Sequence, residues 1–218
     1  IEDADILKIA VQRLVEHRDT EAREALLGLS LTDPIPALNV EARVASDTPP
    51  ATKRPSVSKS HLAAILRRDG WRCHYCGRKL VFQGVLEILG QLCPAEFPFL
   101  PGHHMPRERT HPAAPRVYPE VDHIHAGSIG GHWTDQENLV AACLPCNTRK
   151  SNRLGWTRGT FEAIAWQGLT ELYRPLVERL ETLAHITRLG FVCLDCEVLS
   201  NGSHVTVRRD ISMKFSKV

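Results

Sequence analysis

Residues 121–150 run VDHIHAGSIGGHWTDQENLVAACLPCNTRK, and the order of elements in this stretch decides the fold. Val121 to His125 alternates as a strand does, and residues 126–137 carry Gly127, Gly130 and Gly131 as a glycine-rich loop. Leu139 to Ala142 is a second short apolar run. From Pro145 onward the spacing predicts a helix bearing Asn147 and Lys150, because Pro is well placed in a first helical turn. Strand, loop, strand and helix in so few residues make a ββα unit. The fold class expected is α+β: a stapled ββα core with flanking helices and a C-terminal β-hairpin.

The staple comes from cysteine spacing. Cys73-His-Tyr-Cys76 and Cys143-Leu-Pro-Cys146 form two CxxC pairs far apart in the chain. Four thiolates suit Zn²⁺ in a closed tetrahedron, which leaves no open position for water and makes the role structural. Gly77 follows the first pair, where a knuckle turn needs a residue tolerant of positive φ. The chain holds seven cysteines, an odd number that argues against a secreted disulfide framework. Cys193 and Cys196 form a third pair, for which Cys93, His103, His104 or His111 would have to supply the further ligands of a second zinc site. Two ligands without an obvious second pair carry little weight, and inert thiols and loop histidines are the plainer expectation.

Outward from this core, residues 3–28 read as one or two amphipathic helices with Ile6, Leu7, Ala10, Val11, Leu14 and Val15 on one face. A Pro-rich tract from about 30 to 58 reads as a linker or wrapped arm. Ser60 is placed to cap a helix from His61 to Arg68 that Gly70 ends. Residues 80–120 read as a long insertion, with an apolar stretch from Val85 to Leu89 and then a loop dense in Pro and His. Residues 160–187 read as helical around Phe161, Ile164, Leu169, Leu172, Leu176 and Leu180. A hairpin is expected over 189–210, turning at Asn201-Gly202. The organisation expected is therefore 1–58 as a helical segment and linker, 59–158 as the core domain, and 159–218 as a second flank.

Hydrophobic residues make up 43% and charged residues 24%, the composition of a folded soluble protein. No apolar run approaches the ~20 residues of a membrane span, and no secretory signal opens the chain, so no membrane partner and a cytoplasmic location are expected. Net charge is only +2, but its distribution is uneven. Residues 1–52 hold 5 Lys/Arg against 10 Asp/Glu, whereas residues 53–158 hold 15 against 8. The basic segment is the one that carries the motifs, as a nucleic-acid footprint would require.

Asp122-His123, Gly130-Gly131, Asn138-Leu139-Val140 and Cys143-x-x-Cys146-Asn147-x-x-Lys150, with Arg72 and Gly77 flanking the first knuckle, resemble the HNH (His-Me finger) endonuclease family in its four-cysteine zinc branch. The resemblance covers about 60–158. It implies His123 as general base and Asp122 and Asn147 as ligands of a single catalytic Mg²⁺ or Mn²⁺. It further implies Asn138 as the residue that bonds across the glycine loop and fixes the base. Lys150 would sit near the phosphate, with Arg149 and Arg153 on the same helix, and Arg72, as nucleic-acid contacts. His125 stands where many relatives carry Pro, and Asn147 where many carry His; the latter change favours Mg²⁺ or Mn²⁺ over softer ions.

These residue types also make chemical sense together. Phosphodiester hydrolysis needs an activated water and charge stabilisation on phosphate and leaving oxygen. An imidazole titrates near neutral pH, which suits a general base. One carboxylate plus one amide carbonyl is a hard oxygen pair that leaves room for waters and phosphate. The partner expected is DNA, with the duplex favoured. Two other readings stand beside it: a zinc-stapled DNA-binding module without catalysis, and an RNA-cleaving toxin on the same ββα site. The flanking helices offer a surface for a homodimer, but packing on the chain's own core is the plainer expectation.

Overall fold

The computed structural model describes residues 2–31, 58–100, 105, 109–154, 156, 161–162 and 164–188. Most of the 30–58 tract, His103, His104, Cys193, Cys196 and the hairpin expected at 189–210 lie outside the described residues. No helix among the described residues is long and apolar enough to cross a membrane.

The ββα unit is present. Strand β1 (Pro119–His123) pairs antiparallel with β2 (Leu139–Cys143), in a register that sets Asp122 opposite Val140 and His123 opposite Leu139. β1 ends two residues before the expected His125, because Asn138 takes over the backbone of His125 through its side chain. Two isolated strands are marginal in water. Here β2 is buried along its whole length and its outer edge is covered. Asp69 Oδ2 accepts from Ala141 N at 2.8 Å, and His74 N donates to Ala141 O at 2.8 Å. Arg68 donates to the carbonyls of Gln136 and Leu139 at 2.8 and 2.6 Å. Arg68 ends helix α3 (Lys59–Arg68) and Asp69 and His74 follow it; the N-cap of α3 is Ser58 rather than the expected Ser60. Ser58 Oγ accepts from His61 N, the third residue of the turn, which is the bond a cap must make.

Helices α1 (Asp3–Val15) and α2 (Asp19–Leu26) form a hairpin. Leu7, Ala10, Val11 and Leu14 are buried at helical spacing, so α1 turns its apolar face to the chain's own core. Arg116 ties this hairpin down by donating to Asp3 Oδ2 at 2.7 Å and to Ser30 O at 2.7 Å, and Lys79 Nζ reaches Asp5 Oδ1 at 2.5 Å.

The expected insertion at 80–120 is not a loop throughout. Val85 to Leu89 lies in helix α4 (Gln83–Leu92), with Val85, Leu86, Ile88 and Leu89 all buried. Residues i, i+1, i+3 and i+4 share a helix face, so the pattern was helical but too short to declare itself. A further short helix, α5 (Ala114–Val117), leads into β1. Helix α6 (Leu144–Lys150) completes the ββα unit. The helical region expected from 160 begins only at α7 (Thr170–Arg188). Gly168 and Leu169 hold positive φ (+67° and +61°), which no helix accommodates. The preceding segment instead crosses the core, where Trp166 Nε1 donates to Leu80 O at 2.8 Å. One hydrophobic cluster runs from α1 through α4 and β2 to α7, so the flanks share a core with the ββα unit.

Candidate active site

The first knuckle is a short turn after α3. Cys73 N donates to Arg78 O at 2.9 Å and Gly77 N to Cys73 O at 2.8 Å. Gly77 has φ +73°, and a Cβ there would meet the Phe161 ring at 2.4 Å, so only glycine fits. The second knuckle is the junction of β2 and α6, which carries Cys143 and Cys146. The four sulfurs lie within 4.8 Å of one another. Cys76 Sγ and Cys143 Sγ are 3.8 Å apart, the separation of about 3.8 Å that a tetrahedron of ~2.3 Å Zn–S bonds requires. Hydrogen bonds from Cys143, Cys146 and Cys76 hold the Cys73 thiol well below its ordinary value, while Cys143 is pushed well above its own by its bonds to Cys146, Cys73 and Cys76, so the sulfurs share protons among themselves. The donor set fits a structural zinc ion. Cys93 is elsewhere and buried, its thiol pushed up to about 12 by desolvation. His111 stacks on Phe97 and uses Nδ1 to accept from Ala113 N. Among the described residues only the one cluster could hold zinc.

The strand places Asp122 and His123 on opposite faces. Asp122 points inward and is 6% exposed. Its Oδ2 accepts from Tyr75 Oη at 2.5 Å and faces Lys150 Nζ at 3.1 Å. Its Oδ1 makes no hydrogen bond among the described residues. Burial first, and then the Asp122 charge, hold the Tyr75 hydroxyl well above its usual value, so it remains a donor.

His123 is half-buried against Trp133, whose ring lies edge-on at 5.2 Å between centroids. His123 Nε2 donates to Trp133 O at 2.9 Å, which leaves Nδ1 without a partner among the described residues. The imidazole borders a cleft of about 380 Å³ lined by Ala126, Gly127, Ser128, Trp133, Ser151 and Asn152. Asn138 closes the loop over this cleft. Its Oδ1 accepts from His125 N at 2.8 Å, and its Nδ2 donates to His125 O at 2.9 Å and His132 O at 2.8 Å. His125 is a loop residue whose ring meets Ile129 O at 3.1 Å.

Asn147 lies on α6 across from β1, with Nδ2 donating to Glu120 Oε2 at 2.5 Å. The carbonyl Oδ1 is thereby the end of the amide left for a cation. Sequence reasoning missed Glu120, although it stands two residues before Asp122 and so on the same strand face. It assigned no role to Tyr75.

The expected phosphate contacts are distributed differently. Lys150 is 1% exposed and turned inward, where Nζ donates to His123 O at 2.5 Å and pairs with Asp122. A buried carboxylate draws in the lysine as counter-charge, so Lys150 supports the site from beneath. Arg149 is exposed on α6. Arg153 is not on that helix, because Ser151 at φ +51° ends it; Arg153 folds back to donate to Arg149 O at 2.8 Å. Arg72 holds the first knuckle, donating to Gly77 O and Glu162 O at 2.7 Å each, with its guanidinium over the Phe161 ring.

Lys150→Met is therefore expected to cost about 3–5 kcal/mol of stability, because it leaves a buried carboxylate unpaired. Chemical denaturation measures this, and an unchanged midpoint would remove Lys150 from the buried pair.

Residues 112–153 match the family model described as HNH endonuclease, a match that spans β1, the glycine loop, β2 and α6. Comparisons with the curated proteins and with the solved structures return no match. The match supports a nuclease-type function acting on nucleic acid.

Proposed function

We propose that this chain, which carries an HNH endonuclease module over residues 112–153, is a metal-dependent endonuclease that hydrolyses phosphodiester bonds in double-stranded DNA. One observation carries the reading. His123 lines a cleft with Nε2 fixed by a backbone carbonyl and Nδ1 without a partner among the described residues, while on the reverse face of β1 the Oδ1 atoms of Asp122 and Asn147 are the ones their hydrogen bonds leave over.

Asp122 and Asn147 would hold Mg²⁺ or Mn²⁺, which supplies positive charge to stabilise the phosphate as it reacts. His123 Nδ1 takes a proton from water as its oxygen bonds to phosphorus and the P–O bond to the departing sugar oxygen breaks. The Trp133 carbonyl can only accept, so Nε2 carries the proton and Nδ1 is the basic nitrogen. Asn138 holds the loop that carries this carbonyl. Lys150 anchors the residue pair from below, through the His123 carbonyl and the Asp122 carboxylate.

A duplex substrate is supported by the basic 53–158 segment and by the aromatics of the core. Trp71 packs on Phe82, Tyr75 on Trp156 and Trp133 on His123, so each is engaged within the protein. Single-strand RNA readers present aromatic faces to bases. Exposed Arg149 is the phosphate contact assigned here, since Lys150 is directed inward and Arg72 is engaged in holding the first knuckle.

The test is cleavage of supercoiled plasmid by purified protein with Mg²⁺, Mn²⁺ or EDTA. Nicking that EDTA abolishes is expected, with DNA affinity falling as salt rises from counterion release. Cleavage of RNA with plasmid left intact would replace the substrate class. Binding without cleavage of any nucleic acid would leave a DNA-binding module.

A further inference from the structure

We infer that Tyr75 is a positioning residue for the cleavage reaction, its hydroxyl selecting which oxygen of Asp122 is presented to the catalytic cation. The inference rests on the nuclease reading above and assigns to one side chain a task that links the two metal sites.

Tyr75 sits between Cys73 and Cys76, inside the knuckle that zinc would close. Its ring is almost wholly buried, edge-on to Trp156 and to His74 with centroids 5.2 Å away in each case. The knuckle backbone is tied to β2 through His74 N and Ala141 O, and β2 is paired with β1 opposite Asp122. The hydroxyl is thus held by a rigid frame at 2.5 Å from Asp122 Oδ2.

A carboxylate turns easily about its last torsion, which is broad and two-fold. Two donors on one oxygen stop that rotation. Lys150 Nζ, at 3.1 Å from Oδ2, is one of them, but it rides on a flexible stem and shares its protons with the His123 carbonyl. Tyr75 is the rigid one. With Oδ2 doubly occupied, Oδ1 is the atom left for a cation.

A simpler explanation must be set against this. A buried tyrosine needs a partner for its hydroxyl, so Asp122 could be serving Tyr75 rather than the reverse. The two explanations differ in what loss of the hydroxyl does to metal affinity. Outer-shell partners of a ligating carboxylate are worth about 10–100-fold in that affinity, whereas a hydroxyl that merely needed satisfying is worth nothing there.

The experiment compares wild type, Tyr75→Phe and Trp156→Phe, all zinc-loaded. Mn²⁺ binding is measured by electron paramagnetic resonance without DNA, and plasmid nicking is measured against Mg²⁺ concentration. In Tyr75→Phe the Mn²⁺ Kd should rise about tenfold, and the Mg²⁺ needed for half-maximal nicking should rise in parallel. Zinc content and thermal midpoint should stay near those of wild type. Trp156→Phe, which disturbs the ring's packing but keeps the hydroxyl, should leave Mn²⁺ affinity within about twofold, because no outer-shell bond is lost. Unchanged Mn²⁺ affinity in Tyr75→Phe overturns the inference alone. An equal loss in Trp156→Phe, or loss of zinc from Tyr75→Phe, overturns it in favour of packing. Wild type that binds no Mn²⁺ and cuts nothing sinks the nuclease reading itself.

Discussion

His123→Ala is expected to lower plasmid nicking by about 10²–10⁴-fold, the range that a positioned general base contributes. The residue is half-buried on a strand end, and its ring makes one hydrogen bond, to the Trp133 carbonyl. Removing it therefore frees a carbonyl at the edge of the cleft but opens no hole in the core. Zinc content, the unfolding midpoint and DNA affinity should all stay close to wild type, and only the chemical step should fail. A second variant sharpens the assignment. His123→Gln can keep a bond to Trp133 O yet offers no basic nitrogen, so it should be as inactive as His123→Ala. If either variant nicks DNA at the wild-type rate, the proton goes elsewhere and His123 is not the base.

Loss of the zinc clamp should be more damaging still, and should damage a different property. Cys143→Ser, or exhaustive chelation, is expected to unfold the ββα unit rather than leave it folded and inactive. Structural zinc supplies about 10–16 kcal/mol of binding free energy in small domains, comparable to the ~5–15 kcal/mol total stability of an ordinary domain. Here the ion would join α3's following turn to the β2–α6 junction, two parts far apart in the chain. Cys143 is also the last residue of the wholly buried strand β2, so a misplaced side chain there disturbs the sheet directly. Circular dichroism, one-zinc-per-chain stoichiometry and nicking should fail together in the variant. A Cys143→Ser protein that folds, lacks zinc and cuts DNA at the wild-type rate would show that the clamp is dispensable.

The two predictions separate because the sites are adjacent but built from different donors. Soft sulfur makes up the first, and hard oxygen donors, Asp122 and Asn147, would make up the second. Tyr75 belongs to the first by sequence and touches the second by geometry. Glu120 likewise joins β1 to α6 by accepting from Asn147. Glu120 had the period-two spacing from Asp122 as its signal, and Tyr75 had none. Tyr75 and Asp122 are 47 residues apart, and nothing local to either residue announces the other.

Local chemistry was legible wherever it repeated or was spaced. The two CxxC pairs, the glycine run and the apolar β2 each have a short-range signature, and together they specify a ββα unit with a metal staple. Helix α1 was legible for the same reason, since Leu7, Ala10, Val11 and Leu14 keep helical spacing over several turns. Helix α4 was not, because its apolar residues span little more than one turn between an uncapped start at Phe82 and a Pro-rich loop. The start of α7 was misplaced because Leu169 continues the apolar pattern while its backbone sits at positive φ.

Tertiary structure alone decided which charges face solvent. Lys150 reads in the sequence as a cation on a helix beside a catalytic motif, and such a cation is ordinarily a surface one. It turns inward because the strand beneath buries Asp122, and a buried carboxylate without a counter-charge would cost several kcal/mol. Arg149, next to it in sequence, is exposed. Residue types and their spacing determined the ββα elements and the four-cysteine cluster that fits zinc. The direction of each charged side chain depended on burial and on partners brought in from distant parts of the chain, which a linear pattern does not contain.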